Sequence, residues 1–172
     1  NGSKSYKRAL DILSDDETYD MSMLVMPAIN IDQHSWITGQ AIDMVESRGD
    51  VFLVLDATGF NETANVAENA GETYDTTYAG CYFPWVNMNN QGKVEPMPPS
   101  VLVPSAFAYN DKVAHPWYAT LGFNRGTLAN AVKPYKKLRK ATRDDLIQAN
   151  VNPITSILGE GTVILGQETM QK

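Results

Sequence analysis

The run Val51-Phe52-Leu53-Val54-Leu55 is apolar at every position and constrains the fold more than any other stretch of this chain. A strand without a polar face has nothing to show to water, so both of its sides must be covered, the usual condition inside an α/β sheet. Just ahead of it, Ile37, Ala41, Met44 and Val45 recur at the spacing of one helix face. Ser35 or Asp32 is placed to cap the start, and Gly49 stands as the C′ residue. Further upstream, Met23-Leu24-Val25-Met26 is a second compact apolar run, closed by Pro27. Strand, helix and strand in that order make a βαβ unit. The chain is therefore read as α/β, a mixed β-sheet flanked by helices.

The flanking segments extend this pattern. Tyr6, Ala9, Leu10 and Leu13 predict an opening helix over residues 4–13, and the acidic Asp15-Asp16-Glu17 after it predicts a solvated loop. Asn61 is placed to cap a short polar helix running to Ala70, which offers mainly Ala64, Val66 and Ala67 and should pack shallowly. Residues 78–86 are rich in β-formers and predict a third strand, with Pro84 putting its end at a sheet edge or bulge. Asn89-Asn90, Gly92, Pro96, Pro98 and Pro99 predict a loop over residues 88–99. Ser100 is expected to launch a helix reaching Asp111, in which Pro104 is tolerable only within the first turn. Residues 114–126 read as an aromatic loop around Trp117, Tyr118 and Phe123, and Thr142 is placed to cap a helix ending near Ala149. Two β-rich stretches, 153–158 and 162–165, flank Gly159-Glu160-Gly161, a tight hairpin signal, and the tail beyond is polar.

With 172 residues, 43% of them apolar, the chain can bury one core of ordinary size. A single compact domain with a C-terminal β-hairpin is expected over 1–172: a helix and acidic loop in 1–20, the βαβ-containing half in 21–99, and helix, aromatic loop and hairpin in 100–172. A net charge of −6 and a pI near 4.8 repel phosphate backbones and anionic lipid alike, so neither nucleic acid nor a membrane is an expected partner. The longest apolar run falls far short of the roughly 20 residues that a bilayer-crossing helix needs. The one cysteine, Cys81, cannot close an internal disulfide, and its setting in Tyr82-Phe83-Pro84-Trp85 predicts a buried, inert thiol in a reducing compartment. The chain starts Asn1-Gly2-Ser3 with no Met or hydrophobic leader, and is expected to be an internal part of a longer polypeptide.

A catalytic reading needs a nucleophile or ligand set, a base, and a group that orients it. His34 and His115 lie far apart and belong to no zinc motif. Asp15, Asp16, Glu17 and Asp20 lack the alternate-position spacing of a calcium loop, and Gly122-Phe123-Asn124-Arg125-Gly126 matches neither a P-loop nor a dinucleotide fingerprint, so it reads as a turn. Arg48-Gly49-Asp50 is explained as a helix cap feeding a buried strand. No catalytic, metal-binding or cofactor-binding residue is assigned, no cofactor is expected, and the chain is not read as an enzyme. What remains is charge. Lys133, Lys136, Lys137, Arg139 and Lys140 concentrate positive charge in an acidic chain, as either a solvated face or a place where an acidic partner surface docks.

Several stretches, taken in order, resemble the contractile tail sheath family of phages and related injection devices. Residues 40–56 look like that family's helix followed by Arg48-Gly49-Asp50, an apolar strand and Asp56. Ala79-Gly80-Cys81-Tyr82-Phe83-Pro84-Trp85-Val86 is similar to its aromatic strand. Pro98-Pro99-Ser100, the small-residue helix through Asp111 and then Pro116-Trp117 resemble a further passage, and Asn150-Val151-Asn152-Pro153-Ile154 with the 159–169 hairpin resembles its final strands. The likeness spans residues 23–169, and its specificity lies in collinearity.

The resemblance implies a structural subunit, of the T4-like phage type, that stacks with copies of itself as hexameric rings around a tail tube. Such a sheath shortens when the baseplate fires and drives the tube through the host envelope. It implies tube and baseplate proteins as partners, a place in a virion tail, and synthesis in the host cytoplasm. Extended arms weave neighbouring subunits together in that family; this chain has no obvious counterpart to them, so it is expected to be monomeric alone. Lys136, Lys137, Arg139 and Lys140 on one side and Asp15 and Asp16 on the other are candidate complementary patches between subunits. Two other readings stay open: an α/β enzyme with Asp56 as its acid near His34 or His115, and a protein-binding module docking through Trp85 or Trp117.

Overall fold

In a computed structural model, which describes residues 2–115, 117–122 and 125–172, the all-apolar run becomes a strand near the centre of a five-stranded sheet. The elements run α1 (Gly2–Leu13), β1 (Met23–Asn30), α2 (Ser35–Arg48), β2 (Phe52–Asp56), α3 (Ala64–Gly71), β3 (Ala79–Phe83), β4 (Val86–Asn90), β5 (Lys93–Met97), α4 (Pro99–Val113), β6 (Ala131–Pro134), α5 (Lys140–Gln148), β7 (Val151–Ile157) and β8 (Gly161–Ile164). The main sheet has the order β1-β2-β3-β7-β8, parallel through β7, with β8 returning antiparallel. β5, β4 and β6 make a separate antiparallel sheet.

Successive side chains on a strand point to opposite faces, and here that alternation divides the core in two. Leu53 and Leu55 of β2 and Cys81 and Phe83 of β3 face Ile37, Ala41 and Val45 of α2, Ala67 and Ala70 of α3, and Leu146 of α5. Val54 and Tyr82 face the other way with Ile154 and Ile164, against Leu102, Val103 and Ala106 of α4. Each fully buried side chain of this size contributes about 1.5–3 kcal/mol of apolar transfer. Helices α2, α3 and α5 lie on one face because the parallel strands are added in one direction, and crossovers of one hand then fall on one side. A strand order without reversal has no topological switch point, the crevice where open α/β sheets hold ligands.

Several expectations need correction. Pro27 does not close β1: the strand continues to Asn30 through a register shift between Val25 and Asn30, with Ala28 at φ 66°. An edge strand accommodates a residue lacking N–H at such a bulge. Residues 78–86 are not one strand. β3 ends at Phe83, the Phe83–Pro84 peptide is cis, and Val86 starts a strand of the other sheet. The expected loop over 88–99 is mostly a hairpin, β4 to β5, whose tip residues Gln91 and Gly92 both have positive φ, the geometry that two-residue hairpin turns require. Pro96 is tolerated because β5 is an outer strand. Pro104 lies inside α4 beyond its first turn, where it deprives the Ser100 carbonyl of its i+4 donor; the buried apolar face holds the helix together.

The helix starts also differ from expectation: His34, Thr63 and Arg139 occupy the N-cap positions of α2, α3 and α5, in place of Ser35 or Asp32, Asn61, and Thr142. The C-terminal signal of α2 is as expected, with Gly49 left-handed and its N–H on the Val45 carbonyl. Small residues let α3 approach closely instead of packing shallowly: a Cβ at Gly71 would collide with the Ala149 carbonyl. The aromatic loop and the glycine-flanked turn include Pro116, Phe123 and Asn124, which lie outside the described residues, as does Asn1.

The polar tail is docked. Met170 is fully buried in the α2–α3–α5 core. Its N–H donates to the Ala79 carbonyl and its own carbonyl accepts from Thr76 N–H. Asn152 assists by pairing with both backbone groups of Glu168, through Oδ1 at 2.8 Å and Nδ2 at 2.8 Å. Substituting Met170→Ala is expected to lower unfolding free energy by about 2–5 kcal/mol, read by urea denaturation, whereas Gln171→Ala on the exposed neighbour should stay within about 0.5 kcal/mol of the parent.

Candidate functional site

The acidic side of the candidate surface is an ordered turn. α1 ends at Leu13, and Asp15 then folds back, its Oδ1 accepting the backbone N–H groups of Glu17 at 3.2 Å and Thr18 at 3.3 Å. Hydrogen bonding from Thr18 holds the Asp15 carboxyl below its ordinary value. The turn is also gripped from α2. Arg48, with a side chain only 2% exposed, donates to the carbonyls of Leu13 at 2.7 Å, Asp15 at 3.3 Å and Tyr19 at 2.9 Å. The rest of its guanidinium forms a two-pronged pair with Asp50, Nε to Oδ1 at 2.8 Å and Nη2 to Oδ2 at 2.7 Å, and these hydrogen bonds hold the Asp50 carboxyl below its ordinary value. Arg48 was legible only as a helix ending; its use as a clip for a loop some thirty residues earlier has no local signature. Asp16, Glu17 and Asp20 point outward, exposed.

The basic side divides among several elements. Lys133 lies on β6, Lys136 and Lys137 on the connector, Arg139 at the N-cap of α5 and Lys140 on its first residue. Lys136 donates to the Asn61 carbonyl at 2.8 Å, so it serves a tertiary contact. Lys137, Arg139 and Lys140 are exposed. Between β6, α5 and β7 lies a groove of 540 Å³ lined by Lys133, Pro134, Lys137, Leu138, Arg143, Thr155 and Ser156. Arg143 is the cation that sequence reasoning missed. It lies outside the 133–140 run and reaches the groove from the first turn of α5. Arg139 borders a shallower concavity shared with Thr63, Ala64 and Thr142, with Lys137 on the ridge between the two.

These two sides do not meet within one copy. The acidic turn leads into β1 at one edge of the main sheet, and the basic groove lies over β7, next to β8 at the other edge.

Asp56, the acid of the enzyme reading, is 1% exposed. Its two oxygens accept the Ser100 N–H and hydroxyl, each at 2.7 Å, so it caps the start of α4 from the end of β2. His115 lies beyond the far end of α4, about 22 Å away at 1.5 Å per residue, and stacks on Trp117. His34 accepts the Asn30 N–H at 3.4 Å. Asp56 and His115 are thereby held apart. Burial pushes the Cys81 thiol far up, as expected of an inert core cysteine. The Trp85 indole donates to the Thr58 carbonyl and packs edge-on to Phe60, while Trp117 is 75% exposed. No helix among the described residues is long and apolar enough to cross a membrane.

Over residues 1–170 the sequence matches the family described as the phage tail sheath protein central domain. The chain belongs to this family. Among curated relatives, the tail sheath protein of Vibrio phage KVP40 is 32% identical over 116 residues, 65% of this chain and 17% of that protein. The chain thus spans less than a fifth of the length of that relative. Among solved structures, the cryo-EM baseplate of the anti-feeding prophage contains a chain that superposes with a TM-score of 0.74 at 16% identity, covering 96% of this chain and 42% of the other. The helical sheath of the same particle in its contracted state gives 0.68 at 19%, covering 97% and 43%. These two likenesses establish the α/β fold of this tail sheath central domain. The collinear motifs marked the right family, and the structure gives several of them physical roles: Arg48-Asp50 as the clip, Asp56-Ser100 as the cap of α4, and Asn152 as the anchor of the tail.

Burial is the leading cause that pushes Asp56 up from 3.8 to about 6, against the Ser100 hydrogen bonds. The folded domain therefore keeps a proton that the unfolded chain has already lost, and stability contributed below pH 4 declines as pH rises through 6, by about 3 kcal/mol at most. Asp56→Asn, which can still accept from the Ser100 N–H and can donate to its hydroxyl, is expected to flatten the stability profile between pH 4 and 6. Asp56→Ala, equally without a titrating group, leaves both Ser100 groups unpaired and should lie about 1–3 kcal/mol below Asp56→Asn at every pH in that window. Chemical denaturation across that range distinguishes the two. Separately, Arg48→Ala is expected to raise amide exchange rates at Thr18 and Tyr19 well before those in β2, followed by hydrogen exchange.

Proposed function

We propose that this domain is the structural core of a contractile tail sheath subunit. In this reading, copies of the protein stack as hexameric rings around a tail tube, meet baseplate proteins at one end, and shorten to drive the tube through a host envelope. The work is done by exchange of neighbours between rigid bodies, and bond-making chemistry plays no part. The subunit belongs to a virion tail and is made in the host cytoplasm. The observation that carries the reading is the family match over residues 1–170. Two structural features support it: a double core that keeps the domain stiff, and an Asp56 committed to a helix start.

Imaging a full-length sheath protein carrying this domain by electron microscopy is the direct test. Helical tubes with a ring repeat are expected, and a protein that stays dispersed at every concentration tried contradicts the proposal. The 172-residue chain by itself is expected to sediment as a monomer.

A further inference from the structure

The groove between β6, α5 and β7 collects Lys133, Lys137 and Arg143 without an acid in its lining, in a chain whose net charge is −6. Among the described residues the ion pairs are Lys7–Asp11, Arg48–Asp50 and Lys93–Glu95, so these three cations have no counter-charge there. Asp144 and Asp145 follow Arg143 along α5 but do not line the groove. Pro134 and Leu138 give it an apolar floor, and Thr155 and Ser156 add hydroxyls. At 540 Å³ it falls within the range of about 300–1,000 Å³ typical of sites for compact ligands. Its chemistry fits a short segment presenting several carboxylates.

The chain itself carries such a segment. Asp16, Glu17 and Asp20 are exposed on a turn already shaped by the Asp15 hydrogen bonds and the Arg48 clip. A segment ordered in advance loses little further freedom on docking. The turn leads into β1 at one edge of the main sheet and the groove lies over β7 toward the other edge, so one copy cannot satisfy its own groove. A surface on one side that fits a different surface on the other makes a head-to-tail contact, which links copies into a ring or a helix and does not end at a pair.

We infer that this groove is the docking site for the acidic turn, residues 15–20, of a second copy, an inference that rests on the sheath reading and deepens it. It replaces the broader patch with specific cations: Lys133, Lys137 and Arg143 engage the partner copy, while Lys136 stays on the Asn61 carbonyl. Exposed ion pairs are individually weak, so the contact acts through repetition in a polymer and leaves an isolated domain monomeric.

Carbodiimide coupling joins a carboxylate to an amine only where the two touch. Applied to full-length sheath protein assembled from equal parts of ordinary and nitrogen-15-labelled subunits, it should produce mixed-isotope peptides linking Lys133 or Lys137 to Asp16, Glu17 or Asp20. Arg143→Gln neither removes nor adds a coupling group, yet it should cut the yield of those peptides several-fold, while its circular dichroism reports an intact fold. Tubes whose mixed-isotope links join other sites, or whose yield is unchanged by Arg143→Gln, overturn the docking and leave the sheath reading standing. A protein that never polymerises overturns both.

Discussion

The central strands have no side that can face water, and the architecture follows from meeting that condition twice. One face of β2 and β3 is covered by α2, α3 and α5, which the one-directional order of the parallel strands places together. Those crossovers leave the second face bare. It is closed by α4, and α4 reaches the sheet only because the intervening chain makes an antiparallel excursion through β4 and β5. Asp56 fastens this second cover: it ends β2, a strand of the sheet, and holds the first turn of the helix that lies across it. A buried carboxyl in that place is a joint between layers.

The parts of the fold that could be read ahead of the structure are those whose signal is local. The α2–Gly49–β2 passage carries a 3.6-residue period, a glycine stop and an unalternating apolar run, and each has one physical meaning. The hairpin at 151–164 is similar, since two apolar stretches around paired glycines leave few options. What could not be read depends on partners distant in sequence. Pro27 and Pro96 looked like stops, but an outer strand forgives a missing N–H, and only the sheet order shows which strands are outer. Pro104 survives inside α4 because tertiary burial of Leu102, Val103 and Ala106 outweighs one lost backbone bond. The tail looked polar because Met170 stands alone among polar residues, and one methionine makes no pattern.

The candidate surface divides in the same way. A run of basic residues marks where positive charge is concentrated, but linear proximity does not say which side chains share a concavity. Lys136 turns to a backbone carbonyl, Lys140 lines no part of the groove, and Arg143, outside the run, joins it from the first turn of α5. The acidic turn was visible as composition, whereas its fixed shape comes from Arg48, which serves as the last residue of a helix and a clip for an earlier loop.

The docking of the tail has a mechanical meaning. Met170 is tied by backbone bonds to Ala79 and Thr76, and Lys172 donates its N–H to the Asp75 carboxylate and its Nζ to the Glu72 carbonyl. Tension on these last residues is therefore delivered to the root of β3, the middle strand of the sheet, and through Glu168 to Asn152 at the start of β7, and is not left to β8 at the margin alone. A load applied there is shared by strands on both sides, so the domain can be hauled as one stiff piece without its edge peeling away.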